Sequence, residues 1–527
     1  MTFLLIVHRE LRAAARRRST FRVRWWTTVI AMGMSFVSLA FISLGGRRSA
    51  GAPMFSVLTF YAFGLCLLAG VFFTAHLFTE EKREGTLGLL FLTDLKGYDV
   101  VLGKFAAVSL NAFYALLALL PMTALPLLLG GVTGEEFWRM ALALANALFF
   151  SLAVGLCLSA CMRDSQRAMG NTLGVLILAA AALPALAHWG AQHNWPRTGA
   201  ALAWMSPVSP FVYSTAALFP AYRTTYWASL SVSHAVGWAW LALASAVLPR
   251  TWQVGVNLAG PKAGHWNHRK ASPQPRARAE LLSANPVLWL RRNELGIQWR
   301  AWGIVALWAI AVAVVLLTDF VWSGETALSV LSGYAVITLG FVLKLLFAFE
   351  ACRFFAEGRK NGTLELLLCT PLTHREIIRG QLLALWRSFL GPLLTFLALL
   401  LTPVALRVTS AVVSRDLQPL RAALPYSFIS GVYSVRMALD LLAICWVGMG
   451  LALTMKRPAL APALTILFVL ILPSALCWAD TLADLLLIAW GAGRCQQDLR
   501  RLVAQQYQAA IPVSLPPPTA VPPVIAR

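Results

Sequence analysis

Few residues in this chain have the type and spacing that chemistry requires. The segment GYDVVLGKF, Gly97 to Phe105, ends in Gly-Lys and invites a phosphate-loop reading. Such a loop needs four residues between its glycines, a Ser or Thr after the Lys to hold magnesium, and a buried strand before it. Here five residues separate Gly97 from Gly103, Phe105 follows the Lys, and no strand pattern precedes. No other segment offers the motif, so the chain is not expected to hydrolyse ATP or to carry a cofactor. His265 and His268 have no third or fourth ligand near them in sequence, and two solvated histidines explain them better than a metal site. The eight cysteines contain no Cys-x-x-Cys pair, and most fall in apolar segments. Neither a zinc site nor a disulfide framework is expected.

Charges inside apolar segments are the second group of candidates. A Lys at the centre of a bilayer costs roughly 2.5 to 3.5 kcal/mol on insertion scales, so intramembrane charge points to function by default. Lys344 stands six residues before Glu350, about 9 Å along a helix at 1.5 Å per residue. From there it can snorkel to the cytoplasmic interface. Arg436 and Asp440 stand four residues apart, the spacing of an ion pair within one helix. Lys344, Arg436 and Asp440 are the candidate intramembrane charge sites.

The elements that must position these residues follow from composition. Of 527 residues, 59% are hydrophobic and 13% charged, and mean hydropathy is +0.69. That is too few polar side chains to clothe a soluble surface. A net charge of +22 suggests nucleic acid only where the basic residues cluster on a soluble module, and none is evident. Apolar spans are read near 25–45, 54–79, 105–129, 137–162, 169–189 and 226–248. A second set is read near 301–321, 327–350, 382–406, 430–455, 459–476 and, weakly, 477–493. With the N-terminus cytoplasmic, 33 of the 44 Lys and Arg fall on the cytoplasmic side. The positive-inside bias thus assigns both termini to the cytoplasm. The first apolar segment is too long for a cleavable signal and reads as a signal anchor.

The polar stretch EGRKNGTLELLLCTPLTHREIIRG, Glu357 to Gly380, lies between two apolar runs. It aligns without a gap with EEKREGTLGLLFLTDLKGYDVVLG, Glu80 to Gly103, and nine of 24 positions are identical. The lead-ins (Glu10-Leu11 and Glu294-Leu295) and the ends of the fourth spans (Gly155-Leu156 and Gly450-Leu451) also match. Six spans in each half return the chain to the cytoplasm, so the expected fold is all-α: about 12 transmembrane helices as two parallel six-helix repeats. The expected units are a first half at 1–250, a flexible basic cytoplasmic linker at 251–280, a second half at 281–494 and a Pro-rich cytoplasmic tail at 495–527. The external segment 190–225, with Trp195, Trp204, Pro207 and Pro210, suits either a loop dipping into the bilayer or an exposed one with interfacial Trp anchors.

Each copy of the polar stretch reads as an elbow, a short surface helix between breakers. In the second, Gly358 and Asn361-Gly362 open it, TLELLL faces the bilayer interface and Thr370-Pro371 closes it. Thr373 and Glu376 then form a capping box for the next helix. The first copy has Gly88 and Asp94 where the second has Glu365 and Pro371, and it lacks the Thr-x-x-Glu box. The first elbow is therefore expected to be the less rigid of the two.

EGRKNGTLELLLCTPLTHREIIRGQLL resembles the signature stretch of ABC-2 type transporter permeases. That resemblance implies an exporter-type transmembrane domain whose elbows dock on a separate ABC ATPase, in two copies, which supplies ATP and magnesium. It implies coupling roles for Glu80, Glu81, Gly85, Thr86, Leu87, Thr93 and Gly103 in the first elbow. In the second it implies them for Glu357, Gly362, Thr363, Leu364, Glu365, Thr370, Pro371 and Gly380. It also implies a multi-pass protein of the bacterial inner membrane that exports an unidentified substrate and binds no nucleic acid. A secondary, ion-coupled transporter with parallel six-span repeats is the main rival, and it would need ionisable residues at mid-membrane. A membrane-embedded lipid enzyme would need clustered carboxylates or histidines, which the sequence does not offer.

Overall fold

A computed structural model of the chain describes residues 51–92, 95–162, 165–184, 196–251, 326–414, 418–455, 458–471 and 480–497, with isolated positions elsewhere before 36, at 187, at 286–288, within 302–306 and at 473. The spans expected at 25–45 and 301–321, the linker and the tail lie essentially outside the described residues.

Among the described residues every regular element is a helix. In the first half α1 (Gly51–Ala69) runs through a π-turn (Gly70–Thr74) into α2 (Leu77–Glu84). After it come α3 (Thr86–Phe91), α4 (Gly97–Leu128), α5 (Gly134–Cys161) and α6 (Ser165–Ile177), the last ending in a second π-turn (Leu178–Ala182). Then follow α7 (Pro196–Met205), α8 (Val208–Tyr213) and α9 (Arg223–Thr251). The second half has α10 (Thr326–Asn361), α11 (Thr363–Leu368), α12 (His374–Ser414), α13 (Gln418–Thr454), α14 (Ala461–Ile466, extended by a π-turn at Leu467–Ile471) and α15 (Asp480–Gln497). Among the described residues, six helical stretches are long and apolar enough to cross a membrane: Gly51–Lys82, Gly97–Leu128, Gly134–Cys161, Arg223–Thr251, His374–Ala398 and Ser430–Thr454. The chain is an all-α, multi-pass membrane protein.

Local sequence accounts for the helix ends. Gly130 (φ 81°) and Gly131 (φ 88°) turn the chain after α4 in the left-handed region that glycine adopts without steric cost. Thr133 then caps α5 by accepting from the Glu136 N–H at 3.2 Å, with Glu135 and Glu136 at the positive end of the helix dipole. Asp480 stands first in α15, where a carboxylate is favoured.

The fourth helix is the hub of each half. In its most apolar window α5 is 72% buried and α13 is 72% buried, against 28% for α4 and 28% for the matching part of α12. α5 packs on α9, α1, α6 and α4, and α13 on α15, α10 and α12. Lipid tails are as apolar as leucine, so such helices associate through close packing of small residues and interhelical hydrogen bonds. Where α5 crosses the π-turn, a Cβ on Gly70 would lie 2.0 Å from the Ser151 carbonyl oxygen, and one on Gly155 would lie 2.4 Å from that of Gly70. Ser151 Oγ donates across the interface to the Cys66 carbonyl at 2.5 Å, and Ser159 Oγ accepts from the Phe78 N–H at 2.9 Å. One buried cluster contains residues of both halves, including Val71, Val154 and Met169 with Leu343, Phe355 and Ile444. α7 and α8, within segment 190–225, pack on α9.

Candidate functional site

The two elbows share a backbone geometry. Gly85 (φ 71°) ends α2 and Gly362 (φ 72°) ends α10, both left-handed, and each is followed by a six-residue helix that begins at the aligned threonine. A side chain at either glycine would be strained, which is why this pair of the repeat stays glycine. The expected breaker at Gly358 is a correction: it lies inside α10, and only Gly362 breaks the helix. α3 and α11 also share a facing. Leu87 and Leu364 are buried, whereas Leu89 (66% exposed) and Leu366 (70%) point outward. Thr86, Thr363, Thr370 and Pro371 are exposed, and Gly103 and Gly380 are buried in the helices that follow. Thr93 lies outside the described residues.

The charged residues divide differently between the copies. In the first, Glu81 on α2 forms an ion pair with Lys104 on α4, which also lies 5.8 Å from the centre of the Phe78 ring. Asp99 accepts from the Lys96 N–H at 3.3 Å, one half of a capping box. In the second copy Gly358 and Gln381 stand in place of Glu81 and Lys104. Glu357 binds Arg353 at 2.8 Å instead, one turn back along α10, and Arg353 lies 3.7 Å from Glu350. The capping box at Thr373 is reciprocal: the Thr373 N–H donates to Glu376 at 2.8 Å, and the Glu376 N–H donates to Thr373 Oγ1 at 3.3 Å. The Thr373 N–H, and after it the Thr373 side chain, hold the Glu376 carboxyl below the usual carboxylate range. Burial lowers the pKa of Arg359, and the nearby carboxylate of Glu365 favours its charged form. The Glu81–Lys104 brace is not legible in the sequence, because a contact between residues 23 apart depends on how α2 packs against α4.

Deeper in the second half the ion pairing also differs from expectation. Lys344 does not snorkel and Asp440 does not rest on Arg436 alone. Lys344 on α10 pairs with Asp440 on α13, and both are buried, at 7% and 4% exposure. The ammonium also lies 5.7 Å from the centre of the Tyr433 ring. Glu350, taken as a membrane boundary, is buried as well. In the first half the corresponding depth holds a hydrogen-bonded polar cluster that the sequence did not flag. The Asn146 amide donates to Ser233 Oγ at 2.7 Å and its oxygen lies 3.1 Å from His234 Nδ1, while the Trp238 indole donates to His234 Nε2 at 3.2 Å.

Among the described residues no group of three or more His, Cys, Asp or Glu is placed to hold a metal. What the arrangement presents is a pair of turns of matching geometry, each joining two long helices and each turning one leucine outward. No curated protein matches the chain. Residues 8–250 match the family described as ABC-2 family transporter protein. With the elbow geometry repeated in the second half, the match supports a likeness to ABC-2 type permeases, carried by the first half of this multi-pass chain.

Proposed function

We propose that the chain supplies both halves of the membrane domain of an ATP-binding-cassette exporter, with two six-span units at 1–250 and 281–494 joined by a linker at 251–280. A separate ATPase, in two copies, drives it by docking on the two elbows. The observation that carries this reading is the duplicated elbow: matching left-handed glycines at 71° and 72°, matching six-residue helices, and matching outward leucines at Leu89 and Leu366. A membrane protein that needed only to reverse direction would not require an exposed leucine at the same register twice. Glu80, Thr86, Glu357, Thr363 and Glu365 border the docking surface, and Gly85 and Gly362 set its angle. Both termini and the tail from 495 lie in the cytoplasm of a bacterial inner-membrane protein, and ATP and magnesium belong to the partner.

Affinity purification of the full chain from its native membrane tests this. The chain is expected to bring down a protein with nucleotide-binding motifs, and Leu89→Asp with Leu366→Asp is expected to lose it. ATP hydrolysis by the chain alone, or retention of the partner by the double variant, would refute the reading.

The buried Lys344–Asp440 pair supports the second reading, ion-coupled transport, because it is the kind of ionisable group such a carrier needs. Proton flux in proteoliposomes with and without ATP and the ATPase separates the two. Flux driven by a pH gradient alone would favour the ion-coupled carrier.

A further inference from the structure

The basic residue at the third position of each elbow repeat, Lys82 in one half and Arg359 in the other, does not face the cytoplasm. Lys82 Nζ donates to the carbonyl of Ala160, near the end of α5, and to that of Met162 at 3.4 Å. Arg359 Nη1 donates to the carbonyls of Ala452, Leu453 and Met455 at the end of α13, at 2.8, 2.7 and 3.0 Å. Aligning Gly155-Leu156 with Gly450-Leu451 brings Ala160 onto Met455, so both side chains reach the same place in the repeat. The last carbonyls of a helix lack partners within it and carry the negative end of its dipole, so a cation there satisfies both. Nearly eighty residues separate Lys82 from its acceptors and more than ninety separate Arg359 from its own, so neither contact follows from local helix geometry. In the first half the Thr251 hydroxyl donates to the same Ala160 carbonyl at 3.0 Å, gathering the end of α9 to that point.

We propose that Lys82 and Arg359 are coupling pins, each fastening its elbow to the carbonyl end of the fourth helix so that displacement of the elbow is passed to the hub of that half. This rests on the reading of the elbows as docking sites. The pins connect the part of the molecule that receives the push with the helix that touches most of its neighbours, α5 in one half and α13 in the other. They act as positioning residues: the outward leucines make contact with the partner, and the pins carry the movement inward. Lysine and arginine serve at the two places because the task is to present several donors to converging carbonyls, which an ammonium and a guanidinium both do.

The test uses the full chain, spin-labelled at Cys161 and at Leu92→Cys, with Cys369 and Cys477 replaced by serine. The inter-spin distance distribution of the chain without the ATPase is expected to be narrow, to broaden in Lys82→Met and to stay narrow in Lys82→Arg. The pinned population should fall by about tenfold in Lys82→Met, equivalent to about 1.4 kcal/mol. An unchanged distribution in Lys82→Met would overturn the pin. Should that variant not fold, Arg359→Gln read between Cys369 and Met455→Cys tests the other half by the same criterion. In complex with the ATPase, addition of ATP and vanadate should leave the distance constant in the unmodified chain and shift it in Lys82→Met, with the ATPase retained in both. An elbow that moves against α5 in the unmodified complex would also refute the pin. Failure of the ATPase to bind the unmodified chain would instead count against the docking reading, and the measurement without the ATPase would still decide the pin.

Discussion

At the scale of single residues, the Lys344–Asp440 pair is the most exacting feature of the second half. Two charges removed from solvent owe their stability to each other, and removal of one leaves the other uncompensated. Lys344→Met should therefore destabilise the protein by about 3 to 5 kcal/mol, whereas Lys344→Met with Asp440→Leu should recover most or all of that. Thermal melting of the detergent-purified chain reads both, and a double variant as unstable as the single would show that the pair is not the source of the loss. Each member was legible in the sequence as a charge in an apolar segment, but its partner was not. A spacing of four within one helix suggests Arg436 at once, whereas a contact across 96 residues depends on how α10 and α13 are rotated against each other. The Asn146–His234 cluster was missed for a related reason: polar residues scattered through apolar spans carry no signal until the helices are packed.

At the scale of elements, the elbows show what duplication makes readable. Gly85 with Gly362 and Leu87 with Leu364 are identical pairs, and the structure gives the glycines one backbone conformation and the leucines one degree of burial. The expected inequality in rigidity was argued from residues that differ, and there the first elbow has its own device. It lacks the reciprocal cap at Thr373 and Glu376 but gains the ion pair between Glu81 and Lys104, which ties α2 to α4 across the turn. Loss of a Thr cap costs about 1 kcal/mol. Hydrogen exchange should accordingly find the amides of 86–91 and 363–368 protected to within about tenfold of each other, a difference of about 1.4 kcal/mol. Glu81→Gln should raise exchange in the first segment only, and Thr373→Ala in the second only. Much faster exchange in 86–91 of the unmodified chain would restore the asymmetry argued from Gly88, Asp94 and the missing cap. The π-turns were not legible at all: apolar residues fit a π-turn as well as an α-turn, and only the crossing partner decides.

At the scale of the whole molecule, hydropathy and charge gave the class of the protein and an orientation, because both depend on composition and not on packing. Reporter fusions after Thr133 and after Asp416 should report an external location, and fusions within 257–280 and after Gln497 a cytoplasmic one. An external linker would overturn the parallel arrangement of the two halves. The repeat is not, however, a repeat of volumes. Carried upstream at the shift that aligns the elbows, Gly70 falls opposite Phe347. At Gly70 the first half has no room for a single methyl group, while in the second the ring of Phe347 packs edge-on against Phe389 with centroids 5.1 Å apart. Two copies of the second half could not reproduce the first, since a benzyl group would have to enter the space that the Ser151 backbone occupies. The halves are thus complementary parts and not interchangeable ones, and a single continuous polypeptide guarantees that each molecule contains one of each.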